Sequence, residues 1–353
     1  MKVEKHNYPS VHKGVVRAAL MLVPPFYTED DKNLLIEYAA VPDNKNDRLN
    51  GKGKHYYCAQ NAVGKPYKTY TDKAYYLNGS KKLAPSLRTM FESEYLTAIA
   101  MYKLGKRYWA MDSLMRAAHM LADVCCPPHS CEFTYFSPYG KYHQRYEGKA
   151  ASVFWGEDGI DEEKAAKKWA EYALKPATPT RDFMKLFNDL SLLSGAEINN
   201  VVDDDIEKVE DSIYRQLKLT IQNLAMLFTI FIEDVQSENV FYLKENTAYT
   251  LFQYGEASKQ FEEVLYVEYD EDNLFSLKTK DGRYLCLKSL GRVVFTDDIK
   301  KGITKFTLGV EGANVLYPMG NPDRFIGFDG KHFECRKARN LNAKNTFTFV
   351  ENV

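Results

Sequence analysis

From about residue 13 to residue 236, apolar residues recur three and four positions apart, the spacing that places them on one face of a helix. The pattern predicts helices over 86–105, 107–124, 161–174, 180–195 and 204–235, with a further one across YHQRYEGK (142–149). Gly105, Gly195 and the Pro127–Pro128 pair stand where such runs should stop. After Asn239 the texture changes to short runs of Val, Tyr, Phe and Leu between the turn pairs Asp281–Gly282, Asn321–Pro322 and Asp329–Gly330, which predicts β-strands. These runs repeat. Tyr284–Leu285 in DGRYLCLK recurs 41 residues on as Phe325–Ile326 in PDRFIGFD, and KFTLGV (305–310) recurs 41 on as TFTFVE (346–351). A weaker first copy ends in EVLYVE (263–268). Three copies of about 40 residues, each with about four short strands, can close a small barrel with a hairpin cap, so the expected fold is α+β and multidomain. An all-helical domain over 1–236 precedes an all-β, β-trefoil-like domain over 239–353, with the linker near Gln236–Asn239.

A chain of 353 residues suits two such domains, and 27% charged with 45% hydrophobic residues is ordinary globular usage. With 47 basic and 48 acidic residues the net charge is −1, so no global field selects nucleic acid, and no nucleic-acid partner is expected. The longest apolar stretch, Leu224–Ile232, is far shorter than the roughly 20 residues a bilayer requires. The N-terminal MKVEKHNYPSVHKGVVRAALML has its apolar run broken by Arg17 and no small-residue cleavage site, so no signal peptide is visible. Either the protein is intracellular or the chain begins near a processed end.

Histidine placement carries the first chemical signal. Of seven histidines, at 6, 12, 55, 119, 129, 143 and 332, all but the last fall in the helical part. His119 and Asp123 are four apart on one predicted helix, and His143 and Glu147 repeat that spacing on the next, so each pair stacks on one helix face. His129 lies between them in DVCCPPHSC. Imidazole and carboxylate donors spaced in this way favour zinc at a site that keeps a water position open. Cys58, Cys125, Cys126 and Cys131 lie beside these histidines, and disulfide, metal-ligand and buried-thiol roles all remain open for them.

HMLADVCCPPH followed by HQRYE resembles the H-x3-D-x5-H…H-x3-E signature of the bacterial zinc-dependent phospholipase C family, which includes the phosphatidylcholine-preferring enzymes and clostridial alpha-toxin. SVHKGVVRAAL (10–20) is similar to that family's N-terminal S-H helix, and VPDNKNDRLNGKGKHYY (41–57) to its P-D…H-F/Y-Y/W segment. The resemblance implies a cluster of up to three Zn2+ ions. The first would take Asp43, His55, His119 and Asp123; the second His129, His143 and Glu147, completed by a water; the third His12, Asp123 as a bridge, and the amino nitrogen and carbonyl oxygen of the first residue, Met1, where the family usually has Trp. It implies Asp43 as the general base or the orienter of the attacking water.

The implied activity is hydrolysis of a phospholipid on the glycerol side of phosphorus, giving diacylglycerol and a phosphorylated head group. The implied partner is a phospholipid or membrane-surface substrate, and the implied location is secreted. Choline-preferring members use an acidic residue near the N-terminus and two aromatics. Glu4 can fill the first role, but Asn44 and Lys52 stand where the aromatics would be. The related trinuclear-zinc single-strand nuclease or phosphodiesterase is the rival enzyme, disfavoured by Glu147 and by the 14-residue step from His129 to His143. The non-enzymatic rival is a zinc-stabilised binding protein, and retention of Asp43 argues against it. The β domain would bind a carbohydrate or protein ligand by analogy of fold alone, and it lacks both the aspartate-rich calcium loops of the alpha-toxin β-sandwich and the Q-x-W signature of ricin-type lectins.

Other features read as ordinary structure. Cys125, Cys126 and Cys131 are assigned structural or disulfide roles. NGKGK (50–54) and KKGITK (300–305) are solvated basic turns rather than phosphate loops, His332 is a surface histidine, and Asn78–Gly79–Ser80 is a chance match to a glycosylation acceptor.

Overall fold

The computed structural model describes residues 9–44, 47, 55–58, 75–76, 82–83, 87–131, 133, 138–156, 161–238, 243–270, 274–310, 314–318, 324–337 and 345–352. Met1, Glu4, Lys52, the NGKGK turn, Asn78–Gly79–Ser80 and Asn321–Pro322 lie outside them.

The first two helices, α1 (Val11–Leu20) and α2 (Glu29–Glu37), lead into a 3₁₀ turn, Tyr38–Asp43. Two-residue strands β1 (Tyr75–Tyr76) and β2 (Lys82–Leu83) pair with each other. Then follow α3 (Leu87–Lys103), α4 (Arg107–Val124), the single turn α5 (Pro127–Ser130), α6 (Gly140–Trp155), α7 (Glu162–Ala173), α8 (Phe183–Gly195), the short α9 (Ile198–Val202) and α10 (Ile206–Gln236). The helices expected from periodicity are all present, with ends within three residues of expectation except for α6, which continues six residues beyond the expected 149. Aspartates set several of the starts: Asp161, Asp182 and Asp205 accept from the backbone N–H of Lys164, Lys185 and Glu207, and Thr28 closes a capping box with Asp31. Helix α4 is buried from Ala110 to Val124 on every side, so the other helices wrap around it.

The strands β3 (Ala248–Gln253), β4 (Glu256–Gln260), β5 (Leu265–Tyr269), β6 (Phe275–Thr279), β7 (Tyr284–Leu287), β8 (Val293–Thr296), β9 (Phe306–Val310), β10 (Asn314–Pro318), β11 (Arg324–Phe328), β12 (Phe333–Lys337) and β13 (Phe347–Glu351) are antiparallel throughout. Six of them close a ring: β3 pairs with β5, β5 with β6, β6 with β9, β9 with β10, β10 with β13, and β13 returns to β3. Hairpins β7–β8 and β11–β12 cap the ring, which makes the arrangement a β-trefoil. The sequence repeat maps onto it. Leu265, Phe306 and Phe347 occupy matching places on β5, β9 and β13 and are all fully buried.

The first copy departs from expectation, supplying three strands rather than four. Four residues separate β4 from β5, too few for another strand with its turns, so this copy contributes a single cap strand whose side chains are all exposed.

Buried apolar side chains form one large cluster among the helices and a second inside the barrel, with Val315 and Phe325 packed as a separate pair. Leu96 of α3 packs against the barrel cluster, Tyr269 of β5 touches both clusters, and Lys106 pairs with Glu245 at 2.6 Å. Among the described residues no helix is long and apolar enough to cross a membrane, and none of the six cysteines is held in a disulfide.

Candidate metal centre

Six elements of the chain deliver the eight predicted donors that the structure describes. His12 sits in the first turn of α1, Asp43 ends the 3₁₀ turn, and His55 follows a stretch outside the described residues. His119 and Asp123 lie one turn apart on α4, His129 lies on α5, and His143 and Glu147 lie one turn apart on α6. The approach of α1 to α6 depends on Gly14. A Cβ there would come within 2.3 Å of the Phe154 ring, which is itself buried and stacked on Trp169.

Asp123 is the hub. Its carboxylate lies 2.7 Å from His55 Nδ1, 3.5 Å from His119 Nε2, 3.7 Å from His12 Nε2 and 3.9 Å from His129 Nδ1. Asp43 Oδ1 stands 3.4 Å from His119 Nε2, and its Oδ2 is 4.0 Å from His12 Nε2. On the far side of Asp123, Glu147 Oε1 lies 2.8 Å from His143 Nε2 and 3.3 Å from His129 Nε2.

The imidazole tautomers follow from what the other ring nitrogen meets. Nδ1 of His119, His129 and His143 lies 2.9, 2.7 and 2.5 Å from the backbone carbonyls of Ala39, His55 and Phe133. A carbonyl can only accept, so Nδ1 carries a proton, and Nε2 is the nitrogen each ring turns toward the carboxylates. This is how metal-ligating histidines are held, with the second nitrogen anchored so that the first is aimed. Nε2 of His55 and of His119 is buried without a hydrogen-bond partner. Two orphaned imidazole nitrogens among carboxylates fit a cation, and the donors are nitrogen and oxygen, the set that zinc accepts.

The electrostatics agree. Burial lowers His119 and His129, but the Asp123 charge outweighs it, aided by Asp43 at the first and Glu147 at the second, and both rise to about 9. Burial raises Asp123, Asp43 and Glu147, yet the surrounding histidines hold all three carboxyls below their usual range. The pocket therefore draws positive charge, and a metal entering it would displace protons from these rings.

The chain matches no protein-family model and no curated protein. Among solved structures it is similar to the alpha-toxin of Clostridium absonum, with TM-score 0.46 and 12% identity over 94% of this chain and 87% of that one. It is also similar to the Clostridium perfringens alpha-toxin from avian strain SWCP, with TM-score 0.43 and 11% identity over 97% of this chain and 95% of that one.

Two features escaped the sequence reading. On α4, Asp112 and Arg116 continue the stripe of His119 and Asp123, and Arg116 joins Asp112 to Asp47, at 2.8 Å from the latter. All three are buried, so this ion cluster ties α4 to the segment just after Asp43. The spacing 112, 116, 119, 123 is visible in the sequence, although charged residues at helical spacing ordinarily mark a solvated face. The second feature is Cys126, whose thiol lies within 4.8 Å of the His129 and Glu147 donor atoms. The disulfide alternative for these cysteines is not what the structure holds.

Proposed function

We propose that this chain is a zinc-dependent phospholipase C, cleaving the glycerol-side phosphodiester of a phospholipid to diacylglycerol and a phosphorylated head group. The observation that carries the reading is the gathering of five histidines and Asp43 around two neighbouring carboxylates, Asp123 and Glu147, from α1, the 3₁₀ turn, the segment before residue 58, α4, α5 and α6, in the order of the family's motifs. In this reading His12, Asp43, His55, His119, Asp123, His129, His143 and Glu147 hold up to three Zn2+ ions. Bound zinc supplies positive charge for the phosphate and lowers the pKa of a coordinated water toward neutrality.

The protein's own part is positional. Asp123, sealed from solvent, holds the cluster together from its centre. Asp43 is more than half exposed, and its lowered pKa keeps it ionised at neutral pH. It therefore stands at the mouth of the site as a carboxylate able to take a proton from the attacking water. The partner is a phospholipid or a membrane surface, which suits a secreted enzyme, with residues 1–236 as the catalytic unit and 239–353 as a binding unit. Glu4 is retained as the candidate for head-group contact.

Elemental analysis of purified protein should give two to three zincs per chain. Short-chain phosphatidylcholine should be cleaved, and a chelator should stop the reaction. Metal-free protein would sink the proposal, and zinc without lipid hydrolysis but with cleavage of single-stranded nucleic acid would select the related nuclease. Zinc with neither activity would leave a metal-stabilised binding protein.

A further inference from the structure

The run DVCCPPHSC places three thiols around His129, and Cys58 is a fourth close by. The fold assigns them different surroundings. Cys58 Sγ donates to the carbonyl of His129 at 3.7 Å, Cys131 Sγ donates to the carbonyl of Gly195 at 3.7 Å, and Cys125 is hydrogen-bonded to Thr220 within the helical core. Cys126 alone among them joins a donor group, its Sγ lying within 4.8 Å of donor atoms of both His129 and Glu147.

Local chain geometry accounts for this. Helix α4 ends at Val124, and Pro127 disfavours a helical conformation in the residue before it. Cys126 accordingly adopts an extended backbone, φ −97° and ψ 117°, which turns the chain out of α4 and into α5. Its amide still donates to the Asp123 carbonyl at 2.9 Å, and its own carbonyl accepts from the His129 amide at 3.0 Å. The backbone of Cys126 is thus tied to that of Asp123 on one side and of His129 on the other.

We infer that Cys126 is a ligand, as thiolate, of the metal ion held by His129, His143 and Glu147. Donors around a tetrahedral zinc with bonds of about 2.0–2.3 Å stand roughly 3.3–3.8 Å apart. His129 Nε2 and Glu147 Oε1, at 3.3 Å, meet that spacing, and Cys126 Sγ needs a shift on the order of 1 Å at most. On binding, the S–H bond breaks, the sulfur lone pair forms the metal–sulfur bond, and the proton leaves to solvent. The inference deepens the phospholipase reading and rests on its metal cluster. It replaces the water expected at this ion with a fourth protein donor, a closed set of the kind that structural sites use. The open coordination needed for an attacking water is then left to the ions on the side of Asp43, His55 and His119.

The test uses the full-length protein and the metal alone. With Co2+ bound, thiolate ligation produces an intense near-ultraviolet sulfur-to-cobalt charge-transfer band; with Zn2+ bound, X-ray absorption should show a sulfur neighbour at about 2.3 Å beside nitrogen and oxygen at about 2.0–2.1 Å. The band should be present in the wild type and in Cys125→Ser and absent from Cys126→Ser. The wild-type spectra decide the matter even if Cys126→Ser fails to fold. Metal bound without a sulfur neighbour, or a band that survives in Cys126→Ser, would overturn the ligation while leaving the phospholipase reading intact. A sulfur-ligated metal in a protein that cleaves no phospholipid would uphold the ligation and remove the phospholipase reading. Protein that binds no metal would overturn both.

Discussion

The rings of His12 and His119 stack face to face, 4.1 Å between centroids and 25° between planes, although one belongs to α1 and the other to α4. Two imidazolium ions cannot share that geometry cheaply. Burial and the neighbouring His119 charge lower His12 to about 4, so His12 stays neutral with a lone pair available while its partner holds the proton. His12→Ala should therefore cost one metal per chain and leave the others. Elemental analysis and circular dichroism of the variant check this, and unchanged stoichiometry would remove His12 from the cluster.

Asp43 should matter to turnover more than to binding. Asp43→Asn keeps the size and one oxygen but removes the proton acceptor, so kcat should fall by about 10²–10⁴-fold with KM changed little. Steady-state kinetics on soluble substrate, with metal content measured alongside, separate loss of the base from loss of a ligand. A kcat within a few-fold of wild type would cancel the role.

Arg116 sits in the core between Asp112 and Asp47. Arg116→Met removes the buried cation from among the Asp112, Asp47 and Glu94 carboxylates, which should destabilise the fold by about 3–5 kcal/mol, read from urea unfolding monitored by circular dichroism. Asp112→Asn added to Arg116→Met should recover part of the loss, because one of the clustered negative charges is gone.

Acid sensitivity has a specific source in α2. Burial raises the Asp31 carboxyl, but the Arg107 guanidinium at 2.7 Å, with the Thr28 hydroxyl and amide, more than offsets this and holds it below its usual value. A folded pKa below the unfolded one, about 3.9, gives stability that is fully present above pH about 4 and lost as pH falls through the folded value. Asp31→Asn should lower stability at pH 7 and flatten the decline below pH about 4. Unfolding midpoints measured across that range test it, and an unchanged acid limb would count against it.

Much of this architecture is legible in the sequence, for reasons that differ along the chain. Helices α4 and α10 are long and strongly periodic, so their limits fall within two residues of expectation. The barrel is legible because Leu265, Phe306 and Phe347 must fill equivalent places in one core and therefore recur at a fixed interval. The donors are legible because two i, i+4 pairs constrain one another. Hidden from view are α2, whose nine residues carry little periodicity, and the shortened first trefoil copy. Arg116 and Cys126 are hidden too, since whether a charge is solvated or a thiol faces a cluster depends on chain segments far away in sequence.

The division of labour between the two parts can be tested by truncation. Every assigned donor precedes Gln236, so residues 1–236 should retain zinc and cleave short-chain substrate, with some loss of stability from uncovering Leu96 and breaking Lys106–Glu245. Activity on vesicles should fall if the β part supplies the surface contact. Equal vesicle activity of the truncated and full-length proteins would remove that role.

The pairing of β13 with β3 has a meaning for how the β part is wired. Its last strand runs beside its first, and the Asn352 amide donates to the Ala248 carbonyl at 2.9 Å, so the entry and exit of the chain are neighbours. The barrel depends on which strands touch and hardly at all on where the polypeptide is cut. A short bridge between those two points, with new ends opened at the exposed Asp329–Lys331 turn, would yield a circular permutant with the same ring of six strands. By the same geometry, the whole unit could be carried as an insert within a loop of another protein.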